Sequence, residues 1–146
     1  MNLIGTNGSD LLIHDTSDLI EIHGKRGADT LVAEHGNGAL MYGGRGADTL
    51  NGGPGYSAMW GGKGNDKFVF DDAVTTRLDS VIGDFQPGKD KIVLDLDVFG
   101  DARPAVDWFG TVIQFDTDTR ELSYNGEAFA IIRGDAKITE GDFLFA

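Results

Sequence analysis

The sequence predicts an all-β protein, in which short parallel strands stack into a solenoid and a smaller antiparallel β cap follows. Glycine supplies 22 of the 146 residues, and 15 of these glycines precede residue 71. The glycines recur in nine-residue blocks, whereas the remaining sequence alternates apolar and polar residues. Repeats of this length are typical of stacked coils, and alternation is typical of half-buried strands. We therefore expect two units, residues 1–70 and 71–146.

The repeats share the pattern G-x-x-G-x-D-x-Φ, where Φ is apolar. Blocks begin at residues 43, 52 and 61, and earlier copies begin at residues 5 and 24. Six glycine-rich positions permit a tight turn with positive φ angles, and the last three residues can form a short strand. Such a strand is too short to be stable alone. Two blocks should therefore make one coil of about 18 residues, with coils stacked about 4.8 Å apart.

The stacking also predicts the core of the first unit. One inward row should contain Leu12, Leu31, Leu50 and Phe68, and it should face Ile20, Leu40 or Met41, and Met59.

Four aspartates occupy the sixth position of the well-formed loops. Asp10, Asp29, Asp48 and Asp66 are spaced by 19, 19 and 18 residues, so they should lie on one edge of the stack. The opposite edge has lost its carboxylates, because Gly38 and Ser57 stand at the matching positions. Stacked turns that each offer one carboxylate and several carbonyls suit Ca²⁺, which takes 6–8 oxygens in flexible geometry.

We expect three calcium sites on this edge, between the successive loop pairs. The aspartates would bind through their carboxylates, and the glycine, asparagine, arginine and lysine residues through backbone carbonyls. The candidate ligands are Gly5, Asn7, Gly8, Asp10, Gly24, Arg26, Gly27, Asp29, Gly43, Gly44, Arg45, Gly46, Asp48, Gly61, Gly62, Lys63, Gly64, Asp66 and Asp90.

The first unit resembles the RTX, or haemolysin-type, calcium-binding repeats. Residues 81–94 are similar to the I-x-D-F-x-x-G-x-D-x-I-x-L segment of serralysin-type proteases, and residues 142–146 resemble their acidic and apolar terminus. The resemblance implies a right-handed parallel β-roll that folds on calcium binding outside the cell. It also implies a secreted location, with the type I secretion machinery as a partner. Ser80 departs from the family, which often has an aspartate there.

The second unit reads as strands at residues 106–109, 111–115, 121–124, 128–132 and 143–145. Turns at residues 116–119 and at Asn125-Gly126 separate them. Because an open stack exposes strand edges and an apolar end, we expect this unit to cap the solenoid.

Composition and motifs disfavour several other functions. A formal net charge of −12 argues against nucleic-acid binding, no segment approaches the length of a membrane helix, and there is no cysteine. His14, His23 and His35 lack zinc-ligand spacing and are expected to be solvated. Without a catalytic constellation we expect no enzyme activity, although the chain could be the C-terminal fragment of a larger secreted protease, lipase or epimerase.

Two surface groups suggest an alternative function. Arg26, Arg45 and Lys63 share the third loop position and should form a basic row suited to an acidic polysaccharide, or they could merely offset the aspartates. Tyr42 and Trp60 could stack on one another as a platform for sugar rings, or be covered by the second unit. The alternative is a polysaccharide-binding module resembling the repeat modules of alginate epimerases.

Overall fold

A computed structural model describes residues 2–35, 38–71, 80–100, 108–135 and 137–146. In chain order its strands are β1 (Leu3–Ile4), β2 (Leu11–His14), β3 (Ile20–Arg26), β4 (Thr30–Ala33), β5 (Ala39–Arg45), β6 (Thr49–Asn51), β7 (Ser57–Lys63), β8 (Lys67–Phe70), β9 (Ser80–Ile82), β10 (Lys91–Leu94), β11 (Ile113–Phe115), β12 (Glu121–Tyr124), β13 (Glu127–Ile132) and β14 (Phe143–Phe145). Helix α1 (Leu96–Phe99) and a 3-10 turn (Glu140–Asp142) complete the described elements.

The strands form two sheets that face each other across one core. The first sheet has the order β1-β3-β5-β7-β9-β13-β12-β11, and the second has the order β14-β10-β8-β6-β4-β2. Consecutive strands from β1 to β10 alternate between the sheets and pair in parallel with the strand one coil away. This arrangement confirms the predicted all-β fold with stacked parallel coils.

Apolar side chains fill the space between the sheets in aligned rows. Leu31, Leu50 and Phe68 are fully buried in one row, as predicted. The facing row holds Met41 and Met59 with Ile22, whereas the predicted Ile20 aligns with Ala39 in a second inward row. The seven-residue strands of the first sheet turn two apolar positions inward, because side chains alternate between faces.

The predicted cap is partly present and is continuous with the solenoid. Strand β13 pairs in parallel with β9, and β12 and β11 follow in antiparallel order. Asn125 and Gly126 both have positive φ, at 49° and 86°, as a tight hairpin turn requires. Of the strand expected at residues 111–115, only β11 is formed. The first two residues of the strand expected at 106–109 lie outside the described residues.

The last strand differs from the expectation. Strand β14 pairs in parallel with β10, so it extends the second sheet of the solenoid instead of joining the antiparallel strands. Since β9 and β10 also continue both sheets beyond residue 70, the two expected units share one pair of sheets, and their boundary stays a prediction. Within the described residues, no helix is long and apolar enough to cross a membrane.

Candidate metal centre and the neighbouring surface

The predicted aspartates lie in one ladder along an edge of the solenoid. We call residues 5–10, 24–29, 43–48 and 61–66 loops 1 to 4. The backbone N–H of each loop's aspartate donates to Oδ1 of the aspartate one coil further on, at distances of 2.8 Å (Asp10 to Asp29), 2.9 Å (Asp29 to Asp48) and 2.9 Å (Asp48 to Asp66). The fourth N–H, of Asp66, donates to Oδ1 of Asp90 at 3.0 Å. The ladder therefore contains every predicted carboxylate ligand.

Three of these carboxylates keep one oxygen without a hydrogen bond. Asp29, Asp48 and Asp66 are exposed by only 1%, 1% and 0%, and their Oδ2 atoms have no partner in the part of the chain that the structure describes. A buried charged oxygen without a donor is costly. These three oxygen atoms therefore fit the ligands of a cation.

In loops 2 and 3 the first glycine brings the unpartnered oxygen next to a carbonyl of the following coil. A Cβ added to Gly43 would lie 2.5 Å from Oδ2 of Asp48 and 2.6 Å from the carbonyl oxygen of Gly61, one coil further on. A side chain at this position would thus displace the carboxylate, the carbonyl or both. The unpartnered carboxylate oxygen and a carbonyl oxygen of the following coil therefore both lie beside this glycine.

The burial of these carboxylates alters their acidity. Desolvation raises the pKa of Asp66 to about 6, with repulsion from Asp90, Asp48 and Asp84 adding to the effect. Desolvation also raises the pKa of Asp48 and that of Asp90 above their ordinary values, although backbone N–H donors partly oppose the shift. Asp48, Asp66 and Asp90 therefore bind protons more readily than free aspartates do.

The end of the ladder at Asp90 is closed by hydrogen bonds. Besides the bond from Asp66, Asp90 accepts the backbone N–H of Gln86 on Oδ2 at 2.9 Å. The neighbouring Asp84 accepts the N–H groups of Gly61 and Gly62 at 2.9 and 2.8 Å. The sequence analysis did not place Asp84 among the candidate ligands. Its position in the D-F pair of residues 81–94, the segment similar to serralysin-type proteases, could have indicated it.

No described part of the chain gathers three or more histidine, aspartate or glutamate side chains into a metal-binding group. The ladder offers one carboxylate per loop, so a cation here would need backbone carbonyls as well. His14 is buried and its Nε2 lies 2.7 Å from the Asp18 carbonyl, while His23 lies 3.2 Å from Glu21. The predicted solvated state of the histidines is thus wrong for His14.

The basic side chains at the third loop position form the expected row. Arg26, Arg45 and Lys63 are in register on neighbouring strands, and all three are exposed. None has an ion-pair partner among the described residues. The carbonyls of Arg45 and Lys63, predicted as ligands, accept the N–H groups of Gly27 and Gly46.

The opposite edge has a different register from the predicted one. Ala39, and not Gly38, lies beside Ser57. The reason is that the loop between Ala33 and Ala39 is one residue longer than the loop between Gly52 and Ser57 on the next coil. The Ser57 hydroxyl donates to the Gly52 carbonyl at 2.8 Å and accepts the Ala39 N–H at 3.1 Å. This hydroxyl closes its loop without a cation.

Ser80 is the other neighbour of Ser57 in this row. We expect Ser57→Asp with Ser80→Asp to bind one further calcium ion per chain, because Gly52 leaves room for the new carboxylate as Gly43 does for Asp48. Gly38→Asp with Ser57→Asp should bind no additional calcium ion, since a Cβ at Gly38 would overlap the Tyr56 carbonyl. Isothermal titration calorimetry can count the ions, and equal counts for the two double variants would contradict this register.

The aromatic side chains on the outer face stack as predicted and extend by one ring. Tyr42 lies 4.9 Å from Trp60 and 4.7 Å from His23, with nearly parallel planes. A Cβ on Gly83 would overlap the Trp60 indole, so the glycine lies against its other face. Because both faces of Tyr42 and Trp60 are occupied, this geometry disfavours the predicted stacking of sugar rings.

Comparison with known protein families agrees with this architecture. Residues 1–133 match the family described as "Peptidase M10 serralysin C terminal". The chain belongs to the serralysin C-terminal family. Members of this family are non-catalytic, calcium-binding RTX modules of secreted proteins. Among curated proteins, no relative matches the chain.

Proposed function

We propose that this protein is a calcium-binding module whose folding depends on the cation. The observation that carries the proposal is the set of three buried, unpartnered carboxylate oxygens of Asp29, Asp48 and Asp66. A cation in contact with each oxygen would replace the hydration lost on burial and would separate carboxylates that repel one another. Family membership supports the same conclusion.

The chemistry of the ladder favours calcium over other metals. Its available groups are carboxylates and glycine carbonyls, which are hard oxygen ligands, and the chain has no cysteine. Loops that offer several carbonyls suit the variable coordination of Ca²⁺, whereas Mg²⁺ requires a near-ideal octahedron and retains water.

Calcium removal tests the proposal directly. We expect chelation at neutral pH and low ionic strength to abolish most of the β signal in circular dichroism, and added calcium to restore it. Magnesium at the same concentration should restore much less. A calcium-free spectrum as ordered as the calcium-loaded one would refute the proposal.

The raised pKa values predict opposite effects of acid with and without calcium. The pKa of Asp66 is about 6 in the folded protein against an ordinary value of 3.8, so the calcium-free fold becomes more stable as pH falls from about 6 towards 4. We expect the calcium-free β signal to increase between pH 7 and about 5. Calcium affinity should decrease over the same range, because protons compete for the carboxylates. Circular dichroism and calorimetry at several pH values measure both effects.

We further propose that the protein is exported through a type I pathway and folds outside the cell. Low-affinity calcium sites suit this role, since extracellular modules bind calcium with dissociation constants of about 10⁻⁴–10⁻³ M. The folding midpoint in a calcium titration should lie in this range. A midpoint near 10⁻⁷ M would mean that the chain folds inside the cell, contrary to this proposal.

A second candidate function is binding of an acidic polysaccharide by the row of Arg26, Arg45 and Lys63. Its support is that these three exposed cations align one coil apart and have no ion-pair partner within the described ranges. Calcium in the adjacent loops would add positive charge to this edge. We expect retention on a polygalacturonate column in calcium, lost in Arg26→Gln/Arg45→Gln/Lys63→Gln. If the wild-type protein were retained no longer than the triple variant, this function would be excluded.

A further inference from the structure

Loop 1 differs from the other loops in how its aspartate is satisfied. The backbone N–H of Thr6 donates to Oδ2 of Asp10 at 2.6 Å, and the Thr6 hydroxyl lies 3.0 and 3.2 Å from the two carboxylate oxygens. The same hydroxyl accepts the N–H of Gly8 at 3.1 Å. Thus the oxygen that is unpartnered in Asp29, Asp48 and Asp66 already has donors in Asp10.

The conformation of the second loop position explains this difference. In loops 2 to 4 this position has a positive φ, at 83° for Lys25, 112° for Gly44 and 94° for Gly62. Thr6 is not among the positive-φ residues, and a β-branched side chain strongly disfavours that region. Its peptide therefore turns the N–H towards its own aspartate.

We propose that Thr6 replaces the cation in loop 1, so that the ladder binds calcium at Asp29, Asp48 and Asp66 but not at Asp10. This inference rests on the proposed calcium function. Asp10 is also only half-buried, so its charge keeps part of its hydration and needs a cation less. The three sites then lie one coil further along than the sequence predicts, and both Asp10 and Asp90 close the ladder with N–H donors.

The carbonyl positions do not separate loop 1 from loops 2 and 3, so the difference lies in the donors to the aspartate. Beside Gly24 and Gly43, the unpartnered Oδ2 of the loop's own aspartate converges with a carbonyl of the following coil. In loop 1 the same position brings Oδ2 of Asp10 and the Gly24 carbonyl each 2.7 Å from a Cβ added to Gly5. The carbonyl is in place there, but the N–H and hydroxyl of Thr6 engage the carboxylate.

Calorimetric ion counts on the full chain test the inference. We expect three calcium ions per chain for the wild type and four for Thr6→Gly, which gives loop 1 the residue that loops 3 and 4 have. Thr117→Gly, in an exposed turn of the cap, is the matched control and should bind three.

Asp10→Asn provides a second measurement that does not depend on creating a site. It should leave the wild-type count at three and reduce the Thr6→Gly count from four to three. Loss of an ion on Asp10→Asn in the wild type, or an unchanged count in Thr6→Gly, would overturn the inference alone. A wild type that binds no calcium would instead refute the proposed function.

Discussion

Replacing Asp48 by asparagine should weaken calcium binding by at least about tenfold and, at the same time, stabilise the calcium-free fold. The amide oxygen can still accept the N–H of Asp29, as Oδ1 of Asp48 does now. The amide nitrogen would take the place of the unpartnered Oδ2 and could donate to the Gly61 carbonyl. A buried charge is thereby removed where burial already raises the pKa of Asp48.

The two effects separate a metal ligand from a merely structural residue. A tenfold loss of calcium affinity corresponds to about 1.4 kcal/mol of binding free energy. Calorimetry measures the affinity, and thermal unfolding in chelator measures the calcium-free stability. Asp10→Asn is the control at the end of the same ladder and should change the affinity little. Destabilisation of the calcium-free protein by Asp48→Asn would contradict the assignment of Oδ2 as an unpartnered, buried oxygen.

Gly46→Ala should be among the most damaging substitutions in the solenoid, with a cost of at least about 3 kcal/mol. Gly46 has φ of 138°, and an added Cβ would overlap the carbonyl oxygen of Gly27 in the preceding coil. The strained φ alone costs about 1–2 kcal/mol for a non-glycine residue. The remainder comes from forcing two coils apart.

Gly134→Ala is a matched control for the backbone effect. Gly134 has φ of 99°, and no atom of the described residues lies within 4 Å of an added Cβ. Its substitution should therefore cost only the conformational part, about 1–2 kcal/mol. Thermal or denaturant unfolding of both variants at saturating calcium measures the difference. Equal losses would mean that the coils can separate without cost, contrary to the close stacking described here.

The repeat pattern alone was sufficient to predict the solenoid and its aspartate edge. Periodic spacing brings Asp29, Asp48 and Asp66 into register wherever coils of nearly equal length stack, so no long-range information was needed. The same spacing predicted the alignment of Arg45 with Lys63. Local turn chemistry also predicted the Asn125-Gly126 hairpin, because that pair favours the required positive φ angles.

Other features depended on contacts that the repeat does not encode. The extra residue before Ala39 could be placed only by the pairing of β5 with β7, and this pairing decides which residue faces Ser57. Similarly, an apolar C-terminal segment can pair with any open strand edge. The edge of β10 was available beside β14, which therefore joined the solenoid.

By itself the sequence determined the period, the glycine turns and the row of carboxylates, because each follows from residues a fixed distance apart. Only the tertiary structure decided which carboxylate oxygens have donors. Whether an oxygen has a donor depends on the direction of single peptide groups, such as those whose N–H belongs to Thr6 and Gln86. It also depends on which segments lie at the two ends of the ladder. An aspartate in the pattern is thus a potential ligand, and burial without a donor is what distinguishes Asp29, Asp48 and Asp66 from Asp10 and Asp90.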